Sequence, residues 1–277
     1  MAGAMTARRD WARAVTRRGA LRVPQITTAF WITKGLSTAL GESMSDYSVH
    51  AIAPQAAVIG GFAAFVLALV IQLRQRRYQR WAYWLAVAMV GVFGTMAADV
   101  LHVGLGVPYT VSSLLYAIVL AAVFATWRAT EHTLSIHTID TTRRELFYWA
   151  TVVATFAMGT AVGDYTAVTV NLGYLPSAAL FAGLILIPAI GYRWLRWNPV
   201  ACFWTAYVLT RPLGASIADG LGKPRIDHGL GWGAGPVAAG LAALMVVMVG
   251  SLTLTGRDVQ TSAAGGSAAR PAEAERA

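Results

Sequence analysis

Cysteine is all but missing from this chain, and the lone Cys202 excludes an intramolecular disulfide framework. Charge is scarce as well. Of 277 residues 13% are charged and 56% hydrophobic, which excludes an ordinary soluble domain, where roughly a quarter of residues carry charge. The signatures of common enzymes are missing too: there is no nucleotide-binding glycine loop, no nucleophile elbow and no His-Glu-x-x-His zinc motif. Gly222-Lys223 lacks the upstream glycine of a phosphate loop, and His132 and His137, five apart, do not have the spacing of a zinc pair. No enzymatic activity is expected, and the sequence leaves cofactor, metal and oligomeric state open.

What the chain has instead is apolar runs. A bilayer core of about 30 Å takes about 20 mainly apolar residues per helix, and such stretches recur at 26–46, 54–73, 80–102, 108–127, 145–167, 174–192, 199–219 and 234–255. The predicted fold class is all-α, a polytopic bundle of eight transmembrane helices whose first partner is the lipid bilayer.

The formal charge of +9 comes mostly from arginines in alternate loops. Arg8, Arg9, Arg13, Arg17, Arg18 and Arg22 precede the first span, Arg74, Arg76, Arg77 and Arg80 follow the second, Arg128, Arg143 and Arg144 the fourth, and Arg193 and Arg196 the sixth. The opposite loops carry almost no basic residue before Lys223 and Arg225. By the positive-inside rule both termini are cytoplasmic, and the basic balance needs no nucleic acid to explain it. Thr16-Arg17-Arg18-Gly19-Ala20-Leu21-Arg22 resembles a twin-arginine export signal, but the next segment carries Lys34 and Glu42 and no cleavage site, so it reads as a cytoplasmic arm.

Self-similarity is the strongest signal. Four times an aromatic residue precedes a Trp, a Gly follows ten residues later and an Asp five after that: Phe30-Trp31 with Gly41 and Asp46, Tyr83-Trp84 with Gly94 and Asp99, Tyr148-Trp149 with Gly159 and Asp164, Phe203-Trp204 with Gly214 and Asp219. Each copy then turns into a greasier second helix. Helices apolar all round face lipid, whereas a polar stripe needs protein or water beside it. The four signature helices are therefore expected inside and their partners outside, as parallel repeats about an axis along the membrane normal. The chain divides into an Arg-rich arm (1–25), repeat 1 (26–75), repeat 2 (80–128), a cytoplasmic loop (129–144), repeat 3 (145–193), repeat 4 (199–255) and a disordered cytoplasmic tail (256–277).

Four tandem two-span repeats, each with its Trp, resemble the bacterial membrane proteins defined by "repeat of unknown function 347", over roughly residues 28 to 255. The resemblance implies a topology, a repeat count and a place in the bacterial inner membrane, and no activity.

At about 100° per residue, the eleventh position after each Trp lies near 20° and the Asp near 60° from it, on one stripe. The eleventh positions are Glu42, Thr95, Thr160 and Ala215; the seventh are Thr38, Gly91, Phe156 and Arg211. Each Asp stands about 22 Å beyond its Trp, short of the far interface, where an unpaired carboxylate costs about 2.5 kcal/mol or more. Compensation by cations, basic partners, protonation or water is required. If the carboxylates converge, Glu42, Asp46, Asp99, Asp164 and Asp219 with the hydroxyls of Thr38, Thr95 and Thr160 offer hard oxygen donors for protons or metal ions, with Lys34 and Arg211 as charge partners. The competing expectation is a membrane sensor, assembly or scaffold module in which each Asp caps a turn or meets Lys34, Arg211 or Lys223, each Trp is an interfacial anchor and each Gly permits close packing. His50 and His102, just past two of the Asp residues, are candidate ligands or loop residues.

Overall fold

A computed structural model describes residues 21–75, 77–256 and 258; the predicted arm up to residue 20 and tail from residue 259 lie outside the described residues. Among the described residues there are eight long helices and no strand: α1 (Thr28–Ala51), α2 (Pro54–Leu73), α3 (Arg80–Asp99), α4 (Tyr109–Glu131), α5 (Thr142–Asp164), α6 (Tyr174–Arg193), α7 (Pro199–Gly222) and α8 (Ala234–Thr255). Single π-turns, Val100–Gly104 and Tyr165–Thr169, prolong α3 and α5 past their Asp residues. Local chemistry sets the starts: Thr27 and Thr141 accept from Phe30 N and Arg144 N, and Asn198 accepts from Val200 N and Ala201 N ahead of α7.

Six of the eight helices are long and apolar enough to cross a membrane. The other two, α1 and α7, are 24 residues each, about 36 Å, and fall short on hydropathy because they carry Lys34, Glu42, Asp46, Arg211 and Asp219. Glu42 meets Arg211 across the bundle, Asp46 and Asp219 meet Lys223, and Lys34 is buried within the ring, so α1 and α7 need no lipid-compatible face there.

The odd-numbered helices form a closed inner ring, α1 on α3, α3 on α5, α5 on α7 and α7 back on α1. Each outer helix leans chiefly on the inner helix of the following repeat: α2 on α3, α4 on α5, α6 on α7, and α8 on α1, closing the cycle. Burial separates the two sets. About two-thirds of the apolar windows of α3 and α5 are buried, 61% and 67%, against 22%, 17%, 33% and 22% in α2, α4, α6 and α8. Ile59, Leu67, Leu114, Ile118, Leu186, Val246 and Val247 point outward from those outer helices, as lipid-facing residues must.

The repeat signature makes the ring cyclic at two levels. At Gly41 a methyl group would stand 2.7 Å from the Gly91 backbone, and at Gly94, 2.8 Å from Phe156 Cβ. At Gly159 it would run into the Arg211 side chain, and at Gly214 into that of Thr38. Each signature Gly thus receives the seventh-position residue of the next repeat, so close helix packing is what these glycines supply. The aromatic pairs repeat the pattern, each first aromatic against the next repeat's Trp: Phe30–Trp84 at 5.8 Å, Tyr83–Trp149 at 5.7 Å, Tyr148–Trp204 at 6.1 Å and Phe203–Trp31 at 5.7 Å. Trp84, Trp149 and Trp204 are buried and Trp31 half-buried. The structure therefore departs from the interfacial-anchor expectation. A lone Trp at a helix end favours the headgroups, but four of them beside neighbouring aromatic rings bury more area against one another.

An acidic cluster beside Arg211

Steps of three and then four residues from the Trp keep one stripe of each inner helix turned into the ring. Positions three, seven, eleven and fifteen accordingly stack as layers between the Trp end and the Asp end of the bundle.

At the eleventh position the layer is Glu42, Thr95, Thr160 and Ala215, all buried. Arg211, one turn earlier on α7, extends past small Ala215 into it. Its Nη2 lies 2.6 Å from both Glu42 Oε2 and Thr160 Oγ1 and also donates to Thr95 Oγ1, while Nη1 donates to the Thr38 carbonyl at 3.0 Å. One guanidinium therefore ties α7 to α1, α3 and α5. Thr95 Oγ1 reaches Glu42 Oε2 at 3.2 Å as well. Such a desolvated, hydrogen-bonded pair is stable only while both partners remain. Thr38 contributes its carbonyl to the site; its hydroxyl is taken up by Gly35 O at 2.7 Å and Thr210 O at 3.2 Å.

Beyond Arg211 the carboxylates of α1 and α7 converge. One oxygen each of Glu42, Asp46 and Asp219 lies within 4.8 Å of the others, a spacing from which a single metal ion could be held. Lys223, just past the end of α7, places Nζ 2.6 Å from Asp46 Oδ2 and 3.9 Å from Asp219 Oδ1. Burial works against the Lys223 ammonium, but the carboxylates of Asp219 and Asp46 outweigh it and hold the proton on well above the ordinary lysine range. Asp99 and Asp164 occupy the same register on α3 and α5 that Asp46 and Asp219 occupy on α1 and α7. Among the described residues neither carboxylate has a hydrogen-bond or ion-pair partner, and Asp164 is 8% exposed. Glu42, Asp46 and Asp219 thus cluster with two cations, Arg211 and Lys223, while Asp99 and Asp164 hold the matching register on α3 and α5. α1 and α7 run on past Asp46 and Asp219, whereas Asp99 and Asp164 are the last residues of α3 and α5, each continued by a π-turn.

The two candidate histidines stay out of this cluster. His50 Nδ1 contacts the Asp46 carbonyl at 2.6 Å, and His102 Nδ1 contacts Val107 O at 2.8 Å while its ring stacks on Tyr109 at 3.5 Å. Lys34 lies at the third position, toward the Trp end, and meets no carboxylate among the described residues; its Nζ is 4.1 Å from the Phe156 ring centre and 4.2 Å from that of Tyr207. Phe156 stands out in the sequence only as a seventh-position residue, and Tyr207 not at all. Their signal is register, since Tyr207 holds Lys34's place in repeat 4 and Phe156 holds Arg211's in repeat 3.

The Trp end carries a second polar group that the sequence did not announce. Fully buried Glu145 meets Arg22 at 2.6 Å and accepts from Gln72 Nε2 at 3.0 Å. Asp258 accepts from Arg80 Nε at 2.6 Å and from the Tyr78 hydroxyl at 2.7 Å. These contacts tie the segments before α1 and after α8 to the ring.

Comparison with known proteins gives one family model, described as Repeat of Unknown Function (DUF347), which matches the chain four times, over residues 29–78, 82–133, 147–196 and 202–258. No curated protein and no solved structure matches.

Proposed function

The chain belongs to the Repeat of Unknown Function (DUF347) family, and on that premise, which carries a repeat count and no activity, we propose that it is a transporter or channel for a small cation, a proton or a metal ion. The reading is supported by one observation: Glu42, Asp46 and Asp219 cluster beside Lys223, and the repeat gives Asp99 and Asp164 the same register on the neighbouring inner helices, which we read as one chamber with fewer cations than carboxylates. Unpaired carboxylates at that depth are costly and persist where a cation repays them. Carboxylates and threonine hydroxyls are hard donors, suited to protons, Na⁺, Mg²⁺, Ca²⁺ or Mn²⁺. Arg211 is the natural closure of the path, because it holds Glu42, Thr95 and Thr160 together across the ring. A cation arriving at Glu42 competes with the guanidinium for that carboxylate. Placement in a bacterial inner membrane with both termini cytoplasmic, and the chamber opening to the far side, belongs to the same proposal.

The Arg211 closure and the aromatic layer beyond it favour one other reading, a sensor whose chamber binds a cation from one side and passes nothing. Flux separates the two. Purified protein reconstituted into vesicles is loaded with indicators for protons and for each metal ion in turn, against protein-free vesicles. Transport predicts protein-dependent flux of at least one cation; binding to the purified protein with no flux of any of them would leave the sensor.

A further inference from the structure

The chain has two lysines, and their surroundings could hardly differ. Lys223 is paired with Asp46 and partly exposed. Lys34 is 0% exposed, and no hydrogen-bond acceptor reaches its Nζ among the described residues. It is wedged between the rings of Phe156 and Tyr207, and Arg211 lies over the same Phe156 ring at 5.0 Å. Two aromatic faces repay an ammonium about 2 kcal/mol or a little more. An ion stripped of water costs several. Nor does a carboxylate nearby make up the difference, because Glu42 is eight residues, about 12 Å, further along α1 and is already engaged by Arg211.

The groups around Lys34 bear this out helix by helix. From α7 it faces Tyr207 and Arg211, and from α5 Phe156, with Tyr148 one layer toward the Trp end and Asp164 at the far end. On α3 the ionisable groups of the ring interior are Tyr83 and Asp99, and on α1 itself Glu42 and Asp46. The remaining neighbours of α1, helices α2 and α8, contain no ionisable side chain. A methionine would fill this space without the desolvation cost. What a lysine adds is an exchangeable proton.

We infer that Lys34 is the proton-exchanging group of the bundle, coupled through Arg211 to cation occupancy at Glu42. This rests on the cation-site reading of the chamber. While Arg211 is neutralised by Glu42, Lys34 keeps its proton in the aromatic sandwich. When a cation takes Glu42, the guanidinium is left without an anion beside a second positive charge. One N–H bond of the Lys34 ammonium then breaks, the electron pair stays on Nζ, and the proton is given up to water at the Trp end of the ring, past the buried hydroxyl pair of Tyr83 and Tyr148, 2.5 Å apart. One proton is thereby released per cation bound, and departure of the cation reverses the exchange.

Having only two lysines makes the test direct. The full-length protein, labelled with ¹⁵N at the lysine side chains and held in lipid nanodiscs, is titrated by nitrogen NMR, with Lys34→Met to assign the signals. Should that variant fold poorly, Lys223→Arg assigns them by leaving Lys34 alone. The Lys34 signal is expected to pass from ammonium to amine within the titration while Lys223 stays an ammonium. In Glu42→Gln, where Arg211 lacks its anion, the Lys34 proton is expected to leave at a pH lower by about one unit or more, a tenfold change in the proton equilibrium. An ammonium at Lys34 throughout the titration, or the same titration in Glu42→Gln as in wild type, would overturn the inference. No flux enters this measurement, so its failure is distinguishable from failure of the transport reading.

Discussion

The guanidinium of Arg211 and the carboxylate of Glu42 meet at 2.6 Å with 0% and 4% of their side chains exposed, and so join repeat 4 to repeat 1 inside the ring. Removing either partner strands the other charge in a dry interior, at a cost of about 3–5 kcal/mol. Arg211→Met and Glu42→Gln should each lower the unfolding midpoint strongly. The double variant, which strands neither charge, should be less destabilised than the sum of the two by about 2 kcal/mol or more. Denaturant unfolding in detergent reads the cycle, and simple additivity would show that the contact does no structural work.

Close packing at the signature glycines makes a sharper stability prediction. Gly159→Ala drives a methyl into the Arg211 side chain and to 3.0 Å from Pro212 Cδ, and should cost about 1–3 kcal/mol. Gly35→Ala, on the same ring of helices but with nothing within 4 Å, should be neutral or stabilising by up to about 1 kcal/mol, the ordinary gain of alanine over glycine in a helix. Thermal melts of the two variants side by side test this. Equal effects would deny the glycine its packing role.

Lys223 seats an ammonium where Asp46 and Asp219 would hold a metal ion. If the chamber binds a divalent cation, that tethered charge competes with it. Lys223→Met should then bind Ca²⁺ or Mn²⁺ at least about tenfold more tightly, about 1.4 kcal/mol, by calorimetry on the purified protein. Because the two carboxylates hold the Lys223 proton on above the ordinary lysine range, Lys223 itself stays charged between about pH 6 and 9, and any pH dependence of binding in that range belongs to the carboxylates. Weaker binding in the variant would mean that Lys223 organises the carboxylates and does not compete for them.

Orientation follows from the arginine distribution. A reporter fused after residue 277 that works only in the cytoplasm should be active, and one that requires export should be silent. The reverse pattern would turn the bundle over and place the chamber on the other side.

Much of this architecture is legible in the sequence because the signature is cyclic and gapless. Trp31, Gly41 and Asp46 occupy the same register as their partners in three further copies, which fixes the inner set and lets α1 join it in spite of Lys34, Glu42 and Asp46. What the sequence withholds is the identity of neighbours. A two-helix unit does not declare that α2 will lean on α3, or that α8 will close on α1. The seventh positions, Thr38, Gly91, Phe156 and Arg211, share no chemistry, and only the closed ring reveals that each one faces a signature glycine. The Trp residues mislead for the same reason. Read singly they suit an interface; assembled, they are walls of an aromatic layer. The pairing of Glu145 with Arg22 and of Asp258 with Arg80 joins residues 123 and 178 apart, and no local pattern marks such contacts.

The central claim, that the carboxylates of the ring are the seat of a moving cation, is tested most directly at the two that have no partner among the described residues. Asp99→Asn and Asp164→Asn keep size and shape, and break no ion pair found among the described residues. In reconstituted vesicles, flux of whichever cation the wild type moves should fall by at least about tenfold in each variant while the protein remains folded and inserted. Flux unchanged from wild type in both would contradict the assignment of the chamber as the site.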